Sequence, residues 1–317
     1  MSVVVQHLKK SFAQRQVLKD ISLEINKEIF ALLGPNGSGK TTLVNILCGL
    51  LKKDNGSVSI DGFDPFKTPA QARRKIGMVP QETALYEFLT AKENLDFHAR
   101  FYGVPRSQRK NRIDEMLELA QLLDRAKDMV HTFSGGMKRR LALVRSLLHD
   151  PEIIILDEPT LGVDVQNRND IWNKIKEIKK QKTVLINTNY MDEADRLADR
   201  CAIIDNGNII TVDSPENLKL KHAGGVELEA RVQATKTEIT HLETKLLGIS
   251  DTLKITKEPS SDIHLIKMPA TKEPHQLLTD VAQVFKETGR IVIKSLQVRV
   301  PTLDDVFLEL TGKKLRD

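Results

Sequence analysis

Long apolar runs, aromatic residues and cysteines are all scarce in this 317-residue chain. No uninterrupted hydrophobic stretch approaches the ~20 residues needed to cross a bilayer, so a membrane role would need a partner to supply the span. Met1-Ser2-Val3-Val4-Val5 has no basic segment followed by a long apolar one, so it does not read as a secretory signal. The two cysteines, Cys48 and Cys201, sit in apolar segments. They are expected to be small buried hydrophobes rather than a disulfide or metal site, which fits a reducing cytosol. Three basic clusters, Arg73-Arg74-Lys75, Lys138-Arg139-Arg140 and Lys179-Lys180, have no interleaved aromatics. With a net charge of only +5 they read as solvated faces rather than a nucleic-acid surface. Internal repeats and low-complexity segments are lacking too. The rest is ordinary globular composition, 40% hydrophobic and 29% charged, at a length that favours two domains.

The most informative stretch is Gly34-Pro35-Asn36-Gly37-Ser38-Gly39-Lys40-Thr41-Thr42. Apolar Ile29-Phe30-Ala31-Leu32-Leu33 before it reads as a buried strand. Leu43, Ile46, Leu47 and Leu50 after it mark a helix face. The glycines therefore lie where a strand turns into a helix. There, backbone N–H groups and the helix N-terminus converge on phosphate oxygens. Lys40 is suited to reach the outer phosphates, and the Thr41 hydroxyl to bind Mg²⁺. Further on, Ile153-Ile154-Ile155-Leu156 is a buried strand ending in Asp157-Glu158. Ligands collect at the carboxyl ends of parallel strands. Asp157 is placed to meet the metal held by Thr41, and Glu158 to polarise an attacking water.

Around these motifs, strands alternate with helices, which implies a largely parallel α/β sheet covered on both faces. The exception is a helical segment over about 85–148, with a capping box at Thr90 and Glu93. Its third helix is expected just after Ser134-Gly135-Gly136. Cys201 to Val212 reads as a hairpin closed by Asn206-Gly207. Pro215 and Gly224-Gly225 suggest a boundary, giving domains over 1–220 and 226–317. In the second, strand periodicity at Val226–Val232, at Ile263 and Leu265, and over Ile291–Val300 frames two helices, the latter ended by Gly289. A last helix runs from a Thr302–Asp305 cap to Gly312, completing a small α+β domain without a catalytic signature.

Ser134-Gly135-Gly136-Met137, between the phosphate loop and Asp157-Glu158, resembles the signature of the ATP-binding cassette (ABC) ATPases. The resemblance covers residues 2–215. It implies a P-loop NTPase fold with ATP and Mg²⁺ as ligands. Phe12 matches the aromatic that stacks on adenine. Gln81 matches the loop that ligates Mg²⁺ and senses the transport partner. Asp164 matches the loop that crosses the dimer interface. The resemblance also implies that the Ser134 helix start binds the γ-phosphate held by an opposite subunit, in a homodimer or a heterodimer. The family's commonest signature has Leu and Gln where this chain has Phe133 and Met137, at a site that works through backbone groups. At Asn189 the family has a histidine that contacts the γ-phosphate. Asn can donate a neutral hydrogen bond but cannot carry a positive charge. ATP binding with slow hydrolysis is therefore expected.

The tail Pro301–Gly312 resembles the C-terminal extension of bacterial drug-exporter ATPases of the daunorubicin-resistance-like type. That resemblance implies a separate membrane permease and a cytoplasmic chain held at the inner face of the membrane. Residues 226–317 then read as a dimerising or regulatory module. Two other readings stand beside the exporter. One is a soluble ABC-type ATPase on DNA or the ribosome, against which the missing second cassette and missing stacking aromatics count. The other is a low-turnover nucleotide-sensing subunit.

Overall fold

The computed structural model describes residues 2–223, 225–250, 252–258, 261–269, 273–288 and 291–312. The chain divides into two compact units, residues 1–215 and 216–313. In the first, chain order is β1 (Val3–Phe12), β2 (Arg15–Ile25), β3 (Ile29–Leu33), α1 (Lys40–Leu47), β4 (Asn55–Ile60), α2 (Pro69–Lys75), β5 (Ile76–Val79), α3 (Ala91–Phe101), α4 (Arg106–Leu119), α5 (Gly135–Ser146), β6 (Ile153–Asp157), α6 (Val165–Lys179), β7 (Thr183–Asn187), α7 (Met191–Leu197), β8 (Arg200–Asp205) and β9 (Asn208–Asp213).

Two sheets result. A six-stranded one has the order β5-β6-β7-β3-β8-β9. Its first five strands are parallel, and β9 returns antiparallel through the Asn206-Gly207 hairpin. The second sheet, β2-β1-β4, is antiparallel. Because side chains alternate along a strand, the parallel sheet supplies both cores. Ile153, Ile155 and Leu185 pack with Leu43, Ile46 and the antiparallel sheet. Ile154, Leu156, Val184 and Ile186 face the opposite way, against Leu95, Leu141 and Ile175 of the helices. Each such aliphatic side chain, fully buried, contributes about 1.5–3 kcal/mol.

The helical segment consists of α3 to α5. The capping box at Thr90 and Glu93 is formed, with Oγ1 accepting from the Glu93 N–H and the carboxylate from the Thr90 N–H. Helix α5 starts at Gly135 rather than after Gly136, because Ser134 Oγ caps the Met137 N–H at 3.3 Å and so takes the glycines into the first turn. Arg139 departs further from expectation. It reads as one of a solvated basic trio, yet it is 5% exposed.

The second unit contains α8 (Pro215–His222), which begins at the division, then β10 (Glu227–Gln233), α9 (Lys236–Leu246), β11 (Lys254–Lys257), β12 (Ile263–Pro269), α10 (Pro274–Thr288), β13 (Val292–Arg299) and α11 (Leu303–Thr311). Its antiparallel sheet, β11-β12-β10-β13, lays Leu228, Ala230 and Val232 against Leu242, Leu246, Val281 and Phe285. Strand β11 has no counterpart in the sequence reading. The Thr302–Asp305 capping box and the left-handed stop at Gly312 are both present. Gly224 and Gly289 lie outside the described residues. No helix among the described residues is long and apolar enough to cross a membrane.

Candidate functional site

The loop from Gly34 to Gly39 joins β3 to α1. At Gly34 φ is +154°, and a Cβ there would lie 2.1 Å from the Ile204 carbonyl oxygen of β8. At Gly39 φ is +111°, and a Cβ would come within 2.6 Å of the Leu18 side chain. Glycine is therefore required at both ends of the loop. Lys40 opens α1 and is 5% exposed. Its Nζ donates to Gly34 O at 2.7 Å, Pro35 O at 3.2 Å and Asn189 Oδ1 at 2.7 Å, so all three N–H donors are engaged. Burial lowers its pKa to about 8, against the opposing pull of the Glu158 and Asp157 carboxylates.

The acids stand at the carboxyl end of β6. Asp157 is buried and accepts from Asn187 Nδ2 at 2.5 Å. Glu158 is the first residue past the strand, in a left-handed conformation at φ 49°. Such backbone costs of order 1–3 kcal/mol and is concentrated at functional sites. Burial raises both carboxyl pKa values above the ordinary range. For Glu158, the Asn189 backbone N–H and the Lys40 charge oppose that rise. Asn189 also links across the loop, its Nδ2 donating to Asn36 Oδ1 at 2.9 Å.

These groups meet in one cavity of about 590 Å³, lined by Asn36, Gly37, Gly39, Lys40, Thr41 and Thr42 on one side and Gln81, Glu158 and Asn189 on the other. Arg15, Val17, Leu161 and Tyr190 complete the wall; Leu161 and Tyr190 belong to the Asp164 and Asn189 segments, while no sequence motif marks Arg15 or Val17. Phe12 does not line it. Its ring is 46% exposed under Lys10 Nζ, 5.3 Å from the centroid, and it pairs across the hairpin with Arg15, which does line the cavity. Asp157 and Ser38 lie just behind the wall, both buried. Ser38 Oγ and Glu158 Oε2 have no hydrogen-bond partner. An orphaned buried polar atom costs roughly 1–3 kcal/mol, which a bound polar ligand recovers.

Ser134, Gly135, Gly136 and Asp164 form a second, separate group, and among the described residues none of them lines the cavity. Ser134 caps α5 and Asp164 caps α6, its Oδ1 accepting from the Asn167 N–H at 3.0 Å. Asn167 joins the two caps. Its Nδ2 donates to Asp164 Oδ2 at 2.6 Å, and its side chain lies 2.8 Å from where a Gly136 Cβ would be. The two cysteines are buried thiols, and burial pushes Cys48 up to about 12.

Chemically, the cavity combines a cradle of backbone amides, a buried ammonium and a carboxylate with a free oxygen. That is a site for a polyphosphate and a nucleophilic water. A family model described as ABC transporter matches residues 18–161. The linearmycin resistance ATP-binding protein LnrL of Bacillus subtilis (strain 168) is 38% identical over 314 residues, which is 98% of this chain and 99% of that protein. The daunorubicin resistance ATP-binding protein DrrA2 of Streptomyces coeruleorubidus is 34% identical over 315 residues, 99% of this chain and 96% of that protein. A solved dimeric structure of the ATP-binding cassette MJ0796, in a post-hydrolysis state with ADP and Pi, is 29% identical with a TM-score of 0.61, covering 67% of this chain and 98% of that one.

Proposed function

This chain belongs to the ABC transporter family of ATP-binding proteins, and on that premise we propose that it binds and hydrolyses ATP to drive a separate membrane permease that exports drug-, antibiotic- or lipid-like molecules. The observation that carries the reading is the convergence of buried Lys40 and the orphaned Glu158 Oε2 on one cavity at the carboxyl ends of β3 and β6.

In this reading the loop amides from Gly34 to Thr42 and the Lys40 ammonium hold the triphosphate, and Phe12 stacks on adenine from the hairpin edge. Glu158 orients the attacking water and takes its proton. Thr41, Gln81 and Asp157 are the groups that would hold Mg²⁺, and the orphaned polar atoms beside them fit such a ligand set. Bound there, the metal would neutralise charge on the phosphate oxygens. Because Ser134, Gly135, Gly136 and Asp164 stand apart from this cavity, they serve the nucleotide of a second cassette, either a copy of this chain or a related subunit. Residues 226–317 act as an accessory module in assembly or control. The chain works at the inner face of the membrane, bound to its permease.

Asn189 favours a second reading, a nucleotide-sensing subunit with little turnover. It gives Lys40 a neutral oxygen to bind and offers no cation to the γ-phosphate. Turnover with and without the permease separates the two. Purified full-length chain should hydrolyse ATP, and Lys40→Ala should abolish nucleotide binding. ATP binding that survives Lys40→Ala would refute the site assignment.

A further inference from the structure

Arg139 lies in the second turn of α5, the helix that Ser134 caps, and its guanidinium is buried. The group has five N–H donors in a rigid plane. Every one finds a main-chain carbonyl. Nε donates to Pro159 O at 2.8 Å, Nη1 to Pro80 O and Gln81 O at 2.9 Å each, and Nη2 to Asp157 O at 2.7 Å and Glu158 O at 2.6 Å. Two loops are held in this way. One leaves β5 and carries Gln81, the other leaves β6 and carries Glu158. Each contributes a residue to the wall of the nucleotide cavity. The carbonyls belong to those loops and to Asp157 at the end of β6, and the guanidinium to the helix that presents Ser134. A single rigid fork thus joins three parts of the ATPase that the chain keeps far apart in sequence.

We propose that Arg139 is the positioning residue that couples the Ser134 helix to the Gln81 and Glu158 loops. The inference rests on the ATPase reading above. Movement of α5, as a second cassette closes on Ser134, reaches the water-orienting carboxylate through this fork. Lysine cannot replace it, because a point charge with three donors reaches at most three of the five carbonyls. Its five hydrogen bonds all go to main-chain carbonyls, and the Glu193, Asp157 and Glu158 carboxylates add negative charge nearby.

The test uses the full-length chain and its variants Arg139→Lys and Arg139→Gln, with ATPase kinetics, nucleotide affinity and melting temperature measured together. A misplaced catalytic carboxylate should lower kcat by about ten- to a hundredfold in Arg139→Lys, while KM and nucleotide affinity stay within roughly threefold. Wild-type kcat in Arg139→Lys overturns the proposal. So does a loss of kcat and affinity that tracks a fall in melting temperature. Hydrogen exchange on the unmutated chain guards against a variant that does not fold. On nucleotide binding, the amides of Gln81 and Glu82 should change protection together with those of Glu158 and Leu161 and with the first turns of α5. Independent responses of the three segments overturn the coupling. Absence of ATP turnover in the unmutated chain refutes the ATPase reading itself, a result distinct from either outcome for Arg139.

Discussion

In the proposed site Lys40 should make nucleotide binding a proton-linked event, and the linkage has a definite sign. In the free protein burial lowers its pKa from 10.5 to about 8, even with Glu158 and Asp157 nearby. A triphosphate placed against the ammonium adds negative charge, so the bound state holds this proton more tightly than the free state does. Below pH 8 the free protein already carries the proton, and binding takes up none at this position. Above pH 8 free Lys40 is neutral, so each nucleotide bound must bring in one proton. Affinity then weakens by up to about tenfold per pH unit until the bound-state pKa is reached. Between pH 8 and pH 10 the loss is at most about 2.7 kcal/mol, roughly a hundredfold in Kd.

Titration calorimetry with a non-hydrolysable ATP analogue, run at pH 7 and pH 9 in two buffers of different ionisation enthalpy, counts the protons directly. About one more proton should be taken up at pH 9 than at pH 7. Lys40→Arg should flatten the dependence, since a guanidinium stays charged across this range. Its absolute affinity should be lower, because the fork does not fit the pocket that Gly34 O, Pro35 O and Asn189 Oδ1 form around an ammonium. Equal Kd values at the two pH values, with no difference in proton uptake, would refute the reasoning.

Four further outcomes are expected. If turnover is slow as proposed, Asn189→His should raise kcat by as much as about a hundredfold, by placing one more preorganised donor toward the γ-phosphate; an unchanged steady-state rate refutes that role for Asn189. Glu158→Gln should abolish turnover yet keep nucleotide affinity, and the unmutated enzyme's pH–rate profile should fall on its acid side at a pH above the ordinary carboxylate range, because burial raises the Glu158 pKa and the protonated form accepts no proton. Gly34→Ala should cost about 1–3 kcal/mol or more in a denaturant melt, since the added Cβ meets Ile204 O at 2.1 Å; wild-type stability would contradict that contact. Deleting residues 226–317 should weaken self-association in sedimentation or alter ATPase control, and identical assembly and kinetics would remove that role from the second unit.

What the sequence discloses follows from how local each signal is. The phosphate loop, the acids at the end of β6 and the caps at Thr90 and Thr302 are contiguous patterns whose chemistry acts within a few residues, and each lies where its pattern places it. Strand β11 escapes detection because Lys254–Lys257 contains one apolar residue, half-buried Ile255, and four residues carry no period. Arg15 and Val17 reach the cavity by tertiary packing, and Asn167 links Ser134's helix to Asp164 across two helices, so no spacing announces them.

Arg139 is the instructive failure, because a signal was present. Successive residues on a helix are about 100° apart, so Lys138, Arg139 and Arg140 cover some 200° of its circumference. Helix α5 buries Gly136, Arg139, Leu141, Ala142, Leu143, Val144, Arg145 and Ser146. A helix covered on that much of its surface cannot keep three consecutive side chains in water. The buried positions from Leu141 to Ser146 run right round the helix, so at least one of the three must turn inward, and in the structure it is Arg139. A buried guanidinium is tolerable only where its donors are all satisfied, so an inward arginine predicts a cluster of converging carbonyls. Where those carbonyls lie depends on Pro80 and Pro159 being brought together by the sheet, a juxtaposition of segments nearly eighty positions apart. A basic run on a buried helix is therefore evidence of a tertiary anchor before it is evidence of a charged surface.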